Sequence, residues 1–129
     1  MKLLIVDDNA AVRRLIRSIL QRLADEIYEC GDGADALSAY IAQRPDVVLM
    51  DISMREVDGI QATTQIRAVD PAARILIVTD YDDKDLRHAS MRAGACGYVL
   101  KDNLLDLVRL LDQPADPIRN DKPSEGDTR

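Results

Sequence analysis

Five times along this chain a short apolar run gives way to a segment with helical spacing, and this alternation constrains the fold more than any other feature. Leu3–Val6 is a nearly continuous apolar run, the pattern of a strand buried on both faces; Asp46–Met50, with its central run Val47-Val48-Leu49-Met50, reads as the third strand and Ile75–Val78 as the fourth. Glu26–Cys30 is less apolar and is expected at a sheet edge, and Gly97–Leu100 supplies the fifth strand. After the first strand, Asp7, Asp8 and Asn9 are suited to cap a helix. Val12, Leu15, Ile16, Ile19, Leu20 and Leu23 then form one apolar stripe, with Arg13, Arg14, Arg17 and Arg22 largely off it as a solvated face. Further helices are expected over Ala34–Gln43, Ile60–Val69, Asp82–Ala93 and Asn103–Asp112, punctuated by Pro45, Pro71, Gly94 and Pro114. Alternating strands and helices make an α/β fold with a parallel sheet and helices on both faces, and right-handed crossovers leave few topologies.

A chain of 129 residues suits one domain. A hydrophobic fraction of 47% with 31% charged residues excludes a disordered chain. With neither Phe nor Trp, the core must come from Leu, Ile, Val, Ala and Met. The apolar runs fall far short of the ~20 residues that a membrane span needs, and Met1-Lys2 leads into no signal-peptide pattern, so a cytoplasmic protein is expected. The net charge of −6 disfavours direct nucleic-acid binding. Cys30 and Cys96 have no metal-binding spacing, fall on opposite edges of the expected sheet, and read as small apolar residues. From Pro114 onward the chain is polar and carries Pro114, Pro117 and Pro123, so residues 1–113 read as the domain and 114–129 as a tail or linker stump.

Open parallel sheets bind ligands outside the carboxyl ends of their strands. Reading only those positions gives Asp7 and Asp8 after strand one, Asp51 after strand three, Thr79 and Asp80 at strand four, and Lys101 after strand five. Asp7 and Asp8 taken alone are ordinary helix caps; with Asp51 and Lys101 they describe something sharper. Clustered carboxylates repel one another unless a cation joins them, and Mg²⁺ suits such oxygen ligands. An ammonium and a hydroxyl complete a place to hold a phosphoryl group, with one carboxylate attacking the phosphorus.

The segments Leu4-Ile5-Val6-Asp7-Asp8, Leu49-Met50-Asp51-Ile52-Ser53-Met54, Val57-Asp58-Gly59, Ile77-Val78-Thr79 and Gly94-Ala95-Cys96-Gly97-Tyr98-Val99-Leu100-Lys101 together resemble the response-regulator receiver domains of two-component signalling, over about residues 2–113. The resemblance implies a flavodoxin-like, doubly wound five-stranded parallel sheet of order 2-1-3-4-5 with five helices. It implies Asp51 as phosphoacceptor, Mg²⁺ held by Asp8, Asp7, Asp51 and the Ser53 backbone carbonyl, Lys101 paired with Asp51 or its phosphate, and Thr79 and Tyr98 as switch residues. It also implies a sensor histidine kinase or phosphotransfer protein as donor, and an output partner or homodimer formed through helix four, strand five and helix five. Gly97-Tyr98-Val99-Leu100-Lys101 resembles the subgroup that usually carries a C-terminal helix-turn-helix.

The chain departs from the family pattern at Arg55, where proline is frequent, and at Asp80, where a small residue is usual. Asp80 is expected to slow phosphorylation by small anionic donors. Tyr81 and Ser53 occupy positions that tune phosphate lifetime in the family. Asp80 and Arg55 keep open a second reading, a degenerate receiver acting as a phosphorylation-independent interaction module. A third, an Asp-nucleophile phosphatase, lacks the second Asp two residues on, where Ser53 stands. Leu104, Leu105, Leu107, Val108, Leu110 and Leu111 exceed one core-facing stripe, so Leu110 and Leu105 are expected to face outward. His88 reads as a surface residue.

Overall fold

The structure, a computed structural model, describes residues 1–112. Strands and helices alternate as β1 (Lys2–Val6), α1 (Ala10–Leu20), β2 (Glu26–Cys30), α2 (Ala36–Gln43), β3 (Val47–Met50), α3 (Gly59–Val69), β4 (Ile75–Thr79), α4 (Lys84–Ala93), β5 (Gly97–Leu100) and α5 (Leu105–Leu111). The strands form one parallel sheet in the order β2-β1-β3-β4-β5, the flavodoxin-like arrangement expected. The tail assigned to 114–129 lies outside the described residues.

Side-chain alternation along each strand divides the core in two. Leu4, Val6, Val48, Met50, Ile75 and Ile77 face α2 and α3, where they meet Tyr40, Ala62 and Ile66. Leu3, Ile5, Val47, Leu49, Leu76, Val78 and Val99 face α1 and α5, where they meet Ile16, Leu20, Leu107 and Leu111. Each fully buried Leu or Ile contributes about 2 kcal/mol of transfer free energy, so a core without large aromatics still closes. No helix among the described residues is long and apolar enough to cross a membrane.

Several boundaries move for identifiable reasons. Residues Gly33–Asp35 form a 3₁₀ turn capped by Asp32, so α2 starts at Ala36 rather than at residue 34. The Asp83 carboxylate accepts the Leu86 N–H and fixes the start of α4 at Lys84 rather than at residue 82. A second 3₁₀ turn, Lys101–Asn103, precedes α5. Leu15, placed in the apolar stripe of α1 by its spacing, is 49% exposed, because the face of α1 that meets the core is centred on Ile16 and Leu20, with Val12 and Ile19 partly buried beside them. The arginines of α1 are not uniformly free: Arg13 and Arg17 both pair with Glu29 on the edge strand β2. Leu105 and Leu110 do face outward, at 73% and 42% exposure.

Register levels the functional ends of the central strands. Val6 pairs with Met50, Met50 with Ile77, and Thr79 with Leu100. The residues that follow therefore emerge side by side on one rim.

Candidate functional site: an acidic cluster at the carboxyl rim of the sheet

Asp7 and Asp51 leave the two neighbouring central strands β1 and β3. The Asp51 N–H donates to the Val6 carbonyl at 2.9 Å, and the Asp7 N–H donates to Cys30 O at 3.1 Å, so the ladder itself holds both residues. Both are buried, whereas Asp8, at the mouth, is exposed. One carboxylate oxygen from each of Asp7, Asp8 and Asp51 lies within 4.8 Å of the others.

Lys101 reaches this cluster from the far edge of the sheet. Its Nζ lies 2.9 Å from Asp7 Oδ2, 3.5 Å from Asp51 Oδ1 and 4.0 Å from Asp80 Oδ2. Its nearest carboxylate is thus Asp7, not Asp51. Three carboxylates against one ammonium leave a formal surplus of two negative charges. The Asp51 carboxyl is accordingly raised from 3.8 to about 6, first by burial and then by the Asp7 charge, against the pull of Lys101 and of the Ile52 N–H. Burial pulls the Lys101 ammonium down, but the hydrogen bond to Asp7 and the surrounding carboxylates outweigh it, and its pKa is raised. Oxygen donors carrying surplus negative charge are the ligand set of a hard divalent cation.

The segment between Asp51 and α3 is held at its base. The Gly59 N–H donates to Ile52 O at 2.9 Å, and Asp58 caps α3 by accepting the Gln61 N–H at 2.8 Å. A Cβ on Gly59 would lie 1.9 Å from the Asp51 carbonyl oxygen, so only glycine lets α3 start this close to the end of β3. Ser53 and Arg55 are exposed on this loop.

On the other side, Thr79 is completely buried at the end of β4, and its Oγ1 accepts the Tyr81 N–H at 3.2 Å. The half-buried Tyr98 hydroxyl donates to the Tyr81 carbonyl at 2.7 Å, and the Arg87 guanidinium of α4 lies 4.5 Å from the Tyr98 ring centroid. Thr79 and Tyr98 are therefore connected through the backbone of Tyr81. Asp80 and Tyr81 point outward, the Asp80 side chain 72% exposed. His88 is exposed, and Cys30 and Cys96 are free thiols, with Cys96 just before β5.

Two residues here carried no site assignment in the sequence. Arg13 donates from Nη1 to the Asp7 carbonyl at 2.6 Å while its Nε binds Glu29, steadying the backbone that presents Asp7. Asp32, visible in the sequence only as part of a Gly-Asp-Gly turn, accepts backbone N–H groups from the loop that follows Asp51. Neither contact has a local signal, because its partners lie up to 25 positions away.

Comparison with known proteins agrees with this architecture. Residues 3–112 match the response regulator receiver domain family. The chain is 36% identical over 100 residues to chemotaxis protein CheY of Halobacterium salinarum, an alignment taking in 78% of this chain and 83% of that protein. It is 35% identical over 111 residues to the transcriptional regulatory protein YxjL of Bacillus subtilis, covering 81% of this chain and about half, 51%, of that longer protein. Among solved structures, a LuxR-family two-component response regulator from Aurantimonas sp. SI85-9A1 superposes with a TM-score of 0.80 at 34% identity, over 86% of this chain and 81% of the other. A parallel sheet of order 2-1-3-4-5, an acidic rim faced by a lysine, and a family match over nearly all the described residues lead to one assignment: the chain belongs to the response regulator receiver domain family of two-component signalling.

Proposed function

We propose that this receiver domain accepts a phosphoryl group on Asp51 from a sensor histidine kinase or a phosphotransfer protein. The observation that carries the reading is the buried Asp51 carboxylate, flanked by Asp7 and reached by the Lys101 ammonium at 3.5 Å. An Asp51 oxygen attacks phosphorus, the P–N bond of the phosphohistidine donor breaks, and the imidazole leaves with the bonding electrons and takes up a proton. Lys101, held by Asp7, faces the side where the phosphoryl oxygens gather and offsets their charge. Asp8, Asp7, Asp51 and the Ser53 carbonyl are the residues that would hold Mg²⁺, which when bound neutralises the carboxylates and the transferred oxygens. The surplus negative charge of the cluster fits that cation.

An acyl phosphate adds nearly two negative charges at Asp51. The Thr79 hydroxyl is the nearby neutral donor whose hydrogen bonding would change, and its link through Tyr81 to Tyr98 carries the change toward α4, β5 and α5. That face holds a groove of about 270 Å³ lined by Tyr98, Val99, Asp106, Arg109 and Leu110, with Leu105 exposed beside it, and is suited to an output partner or a second copy. The domain, residues 1–113, modifies itself and is a cytoplasmic switch rather than a turnover enzyme. A phosphorylation-independent module is the weaker reading, because Asp8, Asp51, Thr79 and Lys101 are all retained.

The test is intact mass after incubation with Mg²⁺ and acetyl phosphate. One phosphoryl adduct is expected, lost in chelator and in Asp51→Ala. If no adduct forms with either acetyl phosphate or a phosphorylated histidine kinase, the proposal is overturned.

A further inference from the structure

We propose that Asp32 is a positioning residue that orders the loop between β3 and α3, and through it the Ser53 carbonyl and the Asp51 backbone. Asp32 lies on the turn after the edge strand β2, far from Asp51 in sequence. Its Oδ1 accepts the Glu56 N–H at 3.0 Å, and its Oδ2 accepts both the Val57 N–H at 3.2 Å and the Ala34 N–H at 2.7 Å. One carboxylate thus joins two loops through three backbone donors. Among the described residues, it is the one side chain from another element that hydrogen-bonds the backbone of this loop.

The backbones also touch directly. A Cβ on Gly33 would lie 2.2 Å from the Val57 carbonyl oxygen, so the Asp32–Gly33 turn packs against the loop without a side chain between them. The Gly59–Ile52 hydrogen bond closes the loop at its base, and Asp32 holds it near its far end. Ser53 lies between those two points. Charge favours the tie as well: the Glu56 N–H, then the Ala34 N–H, hold the Asp32 carboxyl below its ordinary value, so Asp32 stays an ionised acceptor in neutral solution. An acceptor that supports a metal-ligating backbone acts like the outer partners of metal sites, whose loss weakens the metal by about tenfold or more.

This inference rests on the phosphoacceptor reading of the rim, and the experiment separates the two. Amide hydrogen exchange and Mg²⁺-dependent amide shifts are measured by NMR on the wild-type chain and three variants. In Asp32→Ala, the Glu56 and Val57 amides are expected to exchange much faster, and Mg²⁺ affinity to fall about tenfold. Asp32→Asn, which keeps one acceptor oxygen, should fall between. Asp83→Ala loses the cap of α4 but should leave the loop amides and Mg²⁺ affinity unchanged, which separates positioning from general destabilisation. Unchanged exchange in Asp32→Ala overturns the inference, as does faster exchange with unchanged Mg²⁺ affinity. A wild-type chain that does not respond to Mg²⁺ overturns the functional reading and this inference together; a normal wild-type response with an unaltered variant overturns the inference alone.

Discussion

Replacing Asp51 by Asn should stabilise the metal-free domain although it removes the proposed acceptor. The carboxyl is raised from 3.8 to about 6, chiefly by burial and by Asp7. A folded-state pKa above the unfolded value contributes stability that is fully present below the unfolded value. That contribution is lost as pH rises through the folded one. At neutral pH, therefore, the ionised Asp51 opposes folding. At about 1.4 kcal/mol for each tenfold, the shift corresponds to roughly 3 kcal/mol. The Asn amide still carries a burial cost of its own and gives up part of the attraction to Lys101, which reduces the gain to about 1–2 kcal/mol. Asn has nearly the same shape, carries no charge, and offers an amide that Asp7 can accept from. Urea unfolding in chelator at neutral pH should place Asp51→Asn about 1–2 kcal/mol above wild type, a rise in Tm of roughly 4–8 °C for a domain of this size. The gap should close as pH falls from about 6 toward 3.8. Saturating Mg²⁺ should stabilise wild type more than the variant, because a ligand stabilises by its affinity for the folded state. A variant no more stable than wild type in chelator, or a gap independent of pH, would refute the reasoning.

Other substitutions test separate parts of the rim. Asp80→Ala removes an exposed carboxylate 4.0 Å from Lys101 Nζ. It should speed phosphorylation by acetyl phosphate by about threefold, as expected for a screened surface charge, and an unchanged rate counts against the steric and electrostatic role given to Asp80. Tyr81→Ala strips a half-exposed ring beside Thr79 and should shorten the acyl-phosphate lifetime, read as faster decay of the adduct mass; an equal decay rate removes Tyr81 from that role. Gly59→Ala forces a Cβ against the Asp51 carbonyl and should cost about 3 kcal/mol in urea unfolding, as overpacking against backbone does. A well-folded Gly59→Ala of unchanged stability would mean that α3 approaches Asp51 less closely than described.

The grouping of the candidate site was legible because its residues sit at strand ends, and strand ends are visible as the points where apolar runs stop. Asp7, Asp8, Asp51, Thr79 and Lys101 all follow such runs, so the parallel order of the sheet is enough to gather them on one rim. The roles that spacing left open are those the resemblance to receivers implies and that the proposed function assigns. Leu15 misled because periodicity marks a stripe without the centre of its buried face, which in α1 falls on Ile16 and Leu20. Helix starts shifted where an aspartate cap or a 3₁₀ turn, rather than hydrophobic spacing, set the boundary.

The sequence by itself determined the element order, the buried central strands, the acidic rim and the surplus leucines of α5, because each of these is written in local pattern and composition. The tertiary structure alone decided that Lys101 reaches Asp7 before Asp51, that Arg13 hydrogen-bonds the Asp7 backbone, and that Asp32 accepts from the backbone of the loop beyond Asp51. These are contacts between residues far apart in the chain. Their geometry depends on strand register and on backbones meeting at Gly33 and Gly59, which no window of sequence contains.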